Sequence, residues 1–112
     1  LLGRGSVSIN TGGEKVYPEE IEEALKLLPH VLDANVVGVP DPKWGSAVTA
    51  IVELSEGAEI TDTELVDALR TDLSGYKLPK HVVRVDTLFR SPNGKSDYKW
   101  AVATAREALG ID

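Results

Sequence analysis

The sequence predicts an α+β fold: a small two-layer domain in which an N-terminal β-hairpin and a short mixed sheet pack with about three helices. Three observations predict it. A run rich in β-branched residues from Val31 to Val39 reads as a central strand. Thr61-Asp62-Thr63-Glu64 has the spacing of a helix-capping box. The chain has 112 residues, 42% of them hydrophobic, which suits one domain with one modest core.

The elements follow in order. Val7 and Ile9, then Thr11-Gly12-Gly13, suggest a short strand closed by a glycine turn, and a second short strand holds Val16 and Tyr17. Pro18 suits the first turn of a helix, where Glu19 and Glu20 meet the positive end of the macrodipole. Ile21, Ala24, Leu25 and Leu28 share one helical face, Glu22 and Lys26 form an i,i+4 pair on the exposed side, and Pro29 marks the stop. After the central strand comes a turn, Pro40-Asp41-Pro42-Lys43-Trp44-Gly45, and Ala47 to Leu54 reads as the antiparallel partner. The capping box opens a helix through Leu73, with Leu65, Ala68 and Leu69 toward the core. An ordered loop, Ser74 to Lys80, leads to a strand from His81 to Val85. Asp97 or Ser96 caps a final helix whose apolar side holds Val102, Ala105 and Leu109. Repeats and low-complexity tracts are absent from the sequence.

Composition excludes several functions. A net charge of -6 argues against a general nucleic-acid binder, since neutralising phosphates needs a basic surface. With no cysteine there is no disulfide scaffold, thiolate metal site or cysteine nucleophile, which fits a reducing, cytoplasmic setting. The two histidines, His30 and His81, lie far apart without ligand spacing, so no metal site is assigned. No apolar run approaches a membrane span, and the first residues lack the pattern of a signal peptide, so a soluble protein is expected. Methionine is missing altogether, even at position 1, so the chain reads as part of something longer.

The most telling stretch is Arg90-Ser91-Pro92-Asn93-Gly94-Lys95-Ser96-Asp97-Tyr98. Pro92 presets φ for a turn and Asn93-Gly94 tolerates positive φ, so Lys95 leaves a stiff platform. A cation so held can meet an anion during group transfer, although a lysine after an Asn-Gly turn is, taken alone, more often an ordinary solvated surface residue. No Ser-His-Asp order, Walker phosphate loop or dinucleotide fingerprint accompanies it. Glycine, an aromatic residue and lysines recur in the loops around Gly12-Gly13, Trp44 and Tyr76 to Lys80, the ingredients for gripping a ligand that ends in phosphate.

Gly3-Arg4, Gly12-Gly13-Glu14-Lys15-Val16-Tyr17-Pro18-Glu19-Glu20-Ile21-Glu22, Val39-Pro40-Asp41 with Trp44-Gly45, Tyr76-Lys77-Leu78-Pro79-Lys80 and Pro92-Asn93-Gly94-Lys95 succeed one another along nearly the whole chain. In that order they resemble the C-terminal domain of adenylate-forming acyl-CoA synthetases of the fatty-acid CoA ligase type. The resemblance implies that residues 1–112 are a lid, with residues 1–6 next to a hinge, and that a large N-terminal domain is the principal partner. It implies ATP and CoA as substrates of the complete enzyme, with Mg2+ arriving with ATP and bound outside this domain. The acid substrate would be fatty or lipid-derived.

Residue by residue, Lys95 matches the lysine that reaches the substrate carboxylate and the α-phosphate during adenylation. Gly12 and Gly13 match a turn lining the pantetheine tunnel, or are a plain hairpin turn. Trp44 and Tyr76 stand where the family places aromatic residues near CoA, or pack against their own domain. Lys77 and Lys80 match positions near the CoA phosphates, or are solvated. Arg4 matches an arginine near the nucleotide ribose and phosphates, or makes a boundary salt bridge. Ser6 falls at the hinge, where relatives commonly carry Asp or Lys. The acyl pocket, adenine site and phosphate loop of the family have no counterpart in these residues, so the domain by itself is not expected to activate an acid or to retain either substrate stably. Two alternatives remain open on sequence: the matching subdomain of a peptide-synthetase adenylation module, which serves a carrier protein, and a non-enzymatic α+β interaction module.

Overall fold

The computed structural model describes residues 8–111, so Arg4 and Ser6 lie outside the described residues. The hairpin pairs β1 (Ile9–Thr11) with β2 (Glu14–Val16). Helix α1 (Pro18–Lys26) follows, with Tyr17 at its N-cap rather than inside a strand. Two long antiparallel strands come next, β3 (Val31–Asp41) and β4 (Gly45–Leu54), in register from Val31↔Leu54 to Asp41↔Gly45 with one irregularity between Val31 and Asp33. The first strand therefore runs two residues beyond Val39 and takes in Pro40, opposite Ser46. Helix α2 (Asp62–Ala68) begins at the capping box, which is fully formed: Thr61 Oγ1 accepts from Glu64 N at 3.1 Å and Glu64 Oε1 accepts from Thr61 N at 2.9 Å. A single 3-10 turn, Gly75–Lys77, leads to β5 (His81–Val85), and α3 (Tyr98–Leu109) closes the described fold.

Strand β4 is the spine of a five-stranded sheet ordered β2-β1-β4-β3, with β5 also on β4. Its start meets β1 through Thr11↔Gly45, and its later part pairs in parallel with β5 from Thr49↔His81 to Glu53↔Val85. The sheet is thus mixed, and the α+β class expected from the sequence holds. Its layering differs from expectation. Ile21, Ala24 and Leu25 of α1 and Leu65 and Leu69 pack on one face with Val36, Val48 and Val52. Ala101 and Ala105 of α3 pack on the opposite face with Val37, Val39, Ala47 and Ile51. Helices cover both sides, so there are three layers instead of two. The reason is visible in the middles of β3 and β4, where consecutive, mostly apolar residues are buried and so both faces need cover.

Two local expectations are corrected. Helix α2 stops at Ala68, which is exposed, although turns continue far enough for Leu73 N to donate to Leu69 O at 3.0 Å and for Leu73 to be buried. The pattern of apolar residues persists past the helix because those turns keep its spacing. The second correction concerns Glu22. It is only 5% exposed, and Lys26 pairs instead with Glu23 at 3.1 Å. Strand β3, at the rim of the sheet, presents the Val36 N–H outward, and Glu22 Oε2 accepts it at 2.8 Å. A buried strand edge required an acceptor, and that demand outweighed a solvent-exposed pair worth a few tenths of a kcal/mol.

Candidate functional site

The sequence-predicted residues gather in two places. The first is the loop before α3. Arg90 and Ser96 form an antiparallel bridge, Ser91 N donates to Lys95 O at 2.9 Å, and Gly94 N donates to Ser91 O at 2.8 Å. Gly94 takes φ of 82°, and Asn93 Oδ1 accepts from Lys95 N at 3.2 Å. Every one of these bonds closes the loop on itself. Lys95 is exposed and makes no ion pair among the described residues. The result is a free ammonium on a folded base, suited to meeting an anion brought to it.

The second place is the tip of the β3–β4 hairpin beside the β1–β2 turn. Asp41 Oδ1 accepts from Lys43 N and from Trp44 N, both at 2.8 Å, and this turn sets the direction of Trp44. Those bonds, the Trp44 N–H foremost, hold the Asp41 carboxyl below its ordinary pKa of 3.8, with His81 and Lys80 adding to the effect. Gly12 N donates to Trp44 O at 2.9 Å, and a Cβ on Gly12 would stand 2.8 Å from Trp44 Cε3. Only glycine lets the turn lie against the indole. Lys80 Nζ lies 4.5 Å and Lys43 Nζ 5.1 Å from the centroid of that ring. Trp44 remains 37% exposed, so an indole flanked by two cations faces solvent, chemically suited to a ligand that joins an anionic group to an apolar arm.

Gly13 has φ of 85° and open space where a side chain would project. Tyr76 and Lys77 stand apart from Trp44: among the described residues no hydrogen bond, ion pair or ring contact joins them to it. The Lys77 ammonium lies 5.7 Å from the Tyr76 ring and is bound to both carboxylate oxygens of Glu20 at 2.9 Å. Those bonds raise the Lys77 pKa and tie the 3-10 turn to the start of α1. Lys77 is therefore held by Glu20 beside the Tyr76 ring, while Lys80 and Lys43 are the lysines set beside Trp44.

Sequence reasoning missed the supports of the loop. The Arg90 guanidinium spans Asp33 of β3, with Nε 2.7 Å from Oδ2 and Nη2 2.5 Å from Oδ1. Tyr98 donates its hydroxyl to Glu22, at 3.0 Å from Oε1 and 2.9 Å from Oε2. One signal was available: Asp33 interrupts an apolar strand, and a charge inside such a run needs a partner.

The two groups lie at opposite ends of the β3–β4 hairpin. From Asp33, beneath the lysine loop, to Asp41, beneath Trp44, the strand spans roughly 26 Å at about 3.3 Å per residue. A cleft of about 590 Å³ around His30 and residues 55–60 contains none of the sequence-predicted residues. Lys80 of the second group borders a separate cleft of about 400 Å³ with Pro79, His81 and Val82. Among the described residues no cluster of three or more His, Asp or Glu could hold a metal ion, and no helix is long and apolar enough to cross a membrane.

Over 101 residues the chain is 57% identical to the 3-oxocholest-4-en-26-oate–CoA ligase of Rhodococcus rhodochrous, covering 90% of this chain and 18% of that protein. It is 55% identical over 107 residues to the medium/long-chain-fatty-acid–CoA/3-oxocholest-4-en-26-oate–CoA ligase of Mycolicibacterium smegmatis, covering 96% of this chain and 19% of the relative. Among solved structures, ATP-bound MatB from Rhodopseudomonas palustris superposes with a TM-score of 0.87 at 36% identity, over 96% of this chain and 21% of that one. The chain thus spans about a fifth of the length of the relatives it matches. The profile of the AMP-binding enzyme C-terminal domain matches residues 20–95, and with the identities above it settles the family: the chain belongs to the AMP-binding enzyme C-terminal domains.

Proposed function

We propose that the complete protein is an ATP-dependent acyl-CoA synthetase and that this domain is its lid, presenting one working surface in each of two half-reactions. In the first, a carboxylate oxygen attacks the α-phosphorus of ATP, giving an acyl-adenylate and pyrophosphate. Two anions must meet, and the Lys95 ammonium offsets that repulsion between the carboxylate and the α-phosphate oxygens. In the second, the CoA thiol attacks the acyl carbonyl, the thiol proton is released and AMP departs. Gly12, Gly13, Trp44 and Lys80 face the CoA there, the glycines by letting the pantetheine arm approach the backbone and Lys80 by its charge. Tyr76 lies along the same path, and Lys77 supports it from Glu20. Arg4 near the nucleotide and Ser6 at the hinge complete the scheme from residues outside those described. Magnesium accompanying ATP is held by the N-terminal domain, and the protein works in the cytoplasm.

The observation that carries this reading is the separation of the two groups along one hairpin. A small domain whose two working groups are seated at positions of β3 roughly 26 Å apart brings one of them at a time to a fixed active centre and reorients between steps. The names of the relatives support a fatty or sterol-derived acid as substrate. The test is Lys95→Ala in the complete enzyme. Acid-dependent pyrophosphate exchange is expected to fall by about 10²–10³, the scale for losing one preorganised electrostatic contact. Conversion of preformed acyl-adenylate to acyl-CoA should be retained. Equal losses in both half-reactions would overturn the assignment.

A further inference from the structure

The bonds that close the Lys95 loop on itself make it stiff without deciding where it sits on the domain. Two carboxylates from distant parts of the chain grip its two ends, downstream of Leu88, whose N–H donates to Glu53 Oε1 at 2.9 Å. At the entry, Asp33 of β3 takes the Arg90 guanidinium in a two-point grip, and it is fixed in turn by accepting from Ala34 N at 2.9 Å. The remaining Arg90 nitrogen, Nη1, reaches forward into the loop, 3.0 Å from Ser96 Oγ and 3.4 Å from Gly94 O. The same side chain therefore holds the strand with one edge and the lysine turn with the other. At the exit, Tyr98 is the first residue of α3, and its hydroxyl rests on Glu22, which is anchored on Val36 N. Both supports end on β3, one at each end of the loop.

We infer that Asp33, acting through Arg90, and Glu22, acting through Tyr98, are positioning residues for the adenylation half-reaction. Neither is placed against Lys95, so any effect on chemistry passes through the loop. A planar fork bound at two points fixes direction as well as distance, which a single contact does not. Direction matters here because a catalytic cation displaced by about 1 Å loses rate on the order of 10²-fold. Among the described residues no hydrogen bond or ion pair joins the Trp44 side chain to either support.

This inference rests on the assignment of Lys95 above, and the experiment separates the two. In the complete enzyme, pyrophosphate exchange and the conversion of preformed acyl-adenylate to acyl-CoA are measured for Asp33→Asn, Tyr98→Phe, Lys95→Ala and the double variant Asp33→Asn/Lys95→Ala. Asp33→Asn is expected to lower kcat of adenylation by roughly 10- to 100-fold with KM for ATP little changed. Tyr98→Phe, which removes one hydroxyl and keeps the ring, should cost roughly 3- to 10-fold, the scale of one hydrogen bond. Both variants should convert acyl-adenylate at the parent rate. In the Lys95→Ala background, Asp33→Asn should lower adenylation no further, because the group it positions is already gone. An anchor whose variant slows both half-reactions alike, or neither, is not a positioning residue. Additive losses in the double variant overturn the inference for Asp33. Intact adenylation in Lys95→Ala overturns instead the assignment beneath it.

Discussion

Gly12 and Gly13 are neighbours with similar backbones and different surroundings. Gly12 has φ of 59° and carries the Trp44 ring where a side chain would begin, whereas Gly13, at 85°, looks into open space. Gly13→Ala should therefore cost only the left-handed backbone strain, about 1–2 kcal/mol. Gly12→Ala should cost more, because the indole must also move away from a Cβ 2.8 Å distant. Urea unfolding of the two variants checks the order, and equal losses would mean that Trp44 swings aside freely. Such a pair of adjacent glycines was legible in the sequence as a turn. That one is committed to Trp44 and the other is open was not, since the distinction depends on a residue supplied by a different hairpin.

At the level of elements, what the sequence made legible was local. The capping box, the glycine turn and the antiparallel pair around Asp41 rest on neighbours a few residues apart, and they form as expected. Asp97 also proves to be the cap of α3, its carboxylate accepting from Trp100 N at 3.0 Å. Asp97→Ala should lower stability by about 1 kcal/mol and the melting temperature by about 4 °C, read in a thermal scan. An unchanged melting point would show that packing alone holds the start of α3. The same locality explains what stayed hidden. Arg90 meets Asp33 across 57 positions and Tyr98 meets Glu22 across 76, so no window along the chain contains either pair. Glu22 was misread for this reason: four residues before Lys26 it looks like half of a surface pair, and only the fold reveals a strand edge beside it. The candidate lysine was legible from its turn, while its supports were not.

For the molecule as a whole, two acidic side chains pull stability in opposite directions with pH. Burial raises the Glu22 carboxyl above its ordinary 4.5, and the bonds from Val36 N and Tyr98 offset this only in part. The folded state then binds this proton more tightly than the unfolded chain, so stability falls as pH climbs from 4.5 through the raised value. Asp33 behaves in the reverse sense. Burial pushes its pKa up, but the Arg90 hydrogen bonds and charge and the Ala34 N–H outweigh it, leaving the carboxyl below 3.8. Its contribution is present above pH 3.8 and disappears as pH falls through the lowered value. Glu22→Gln should therefore flatten the decline of stability above pH 4.5 while leaving the acid limb, and Asp33→Asn should do the opposite. Denaturant midpoints across the pH range test both, and identical profiles would dismiss the two carboxyls as pH-sensitive elements. The carboxylate on Val36 also bears on solubility. Strand β3 is long, largely apolar and at the rim of the sheet, the kind of template on which another chain can add a strand. Glu22 occupies a donor there that a second molecule would need, with a charge that is costly to bury against another backbone, so this edge resists the addition of a strand from another copy.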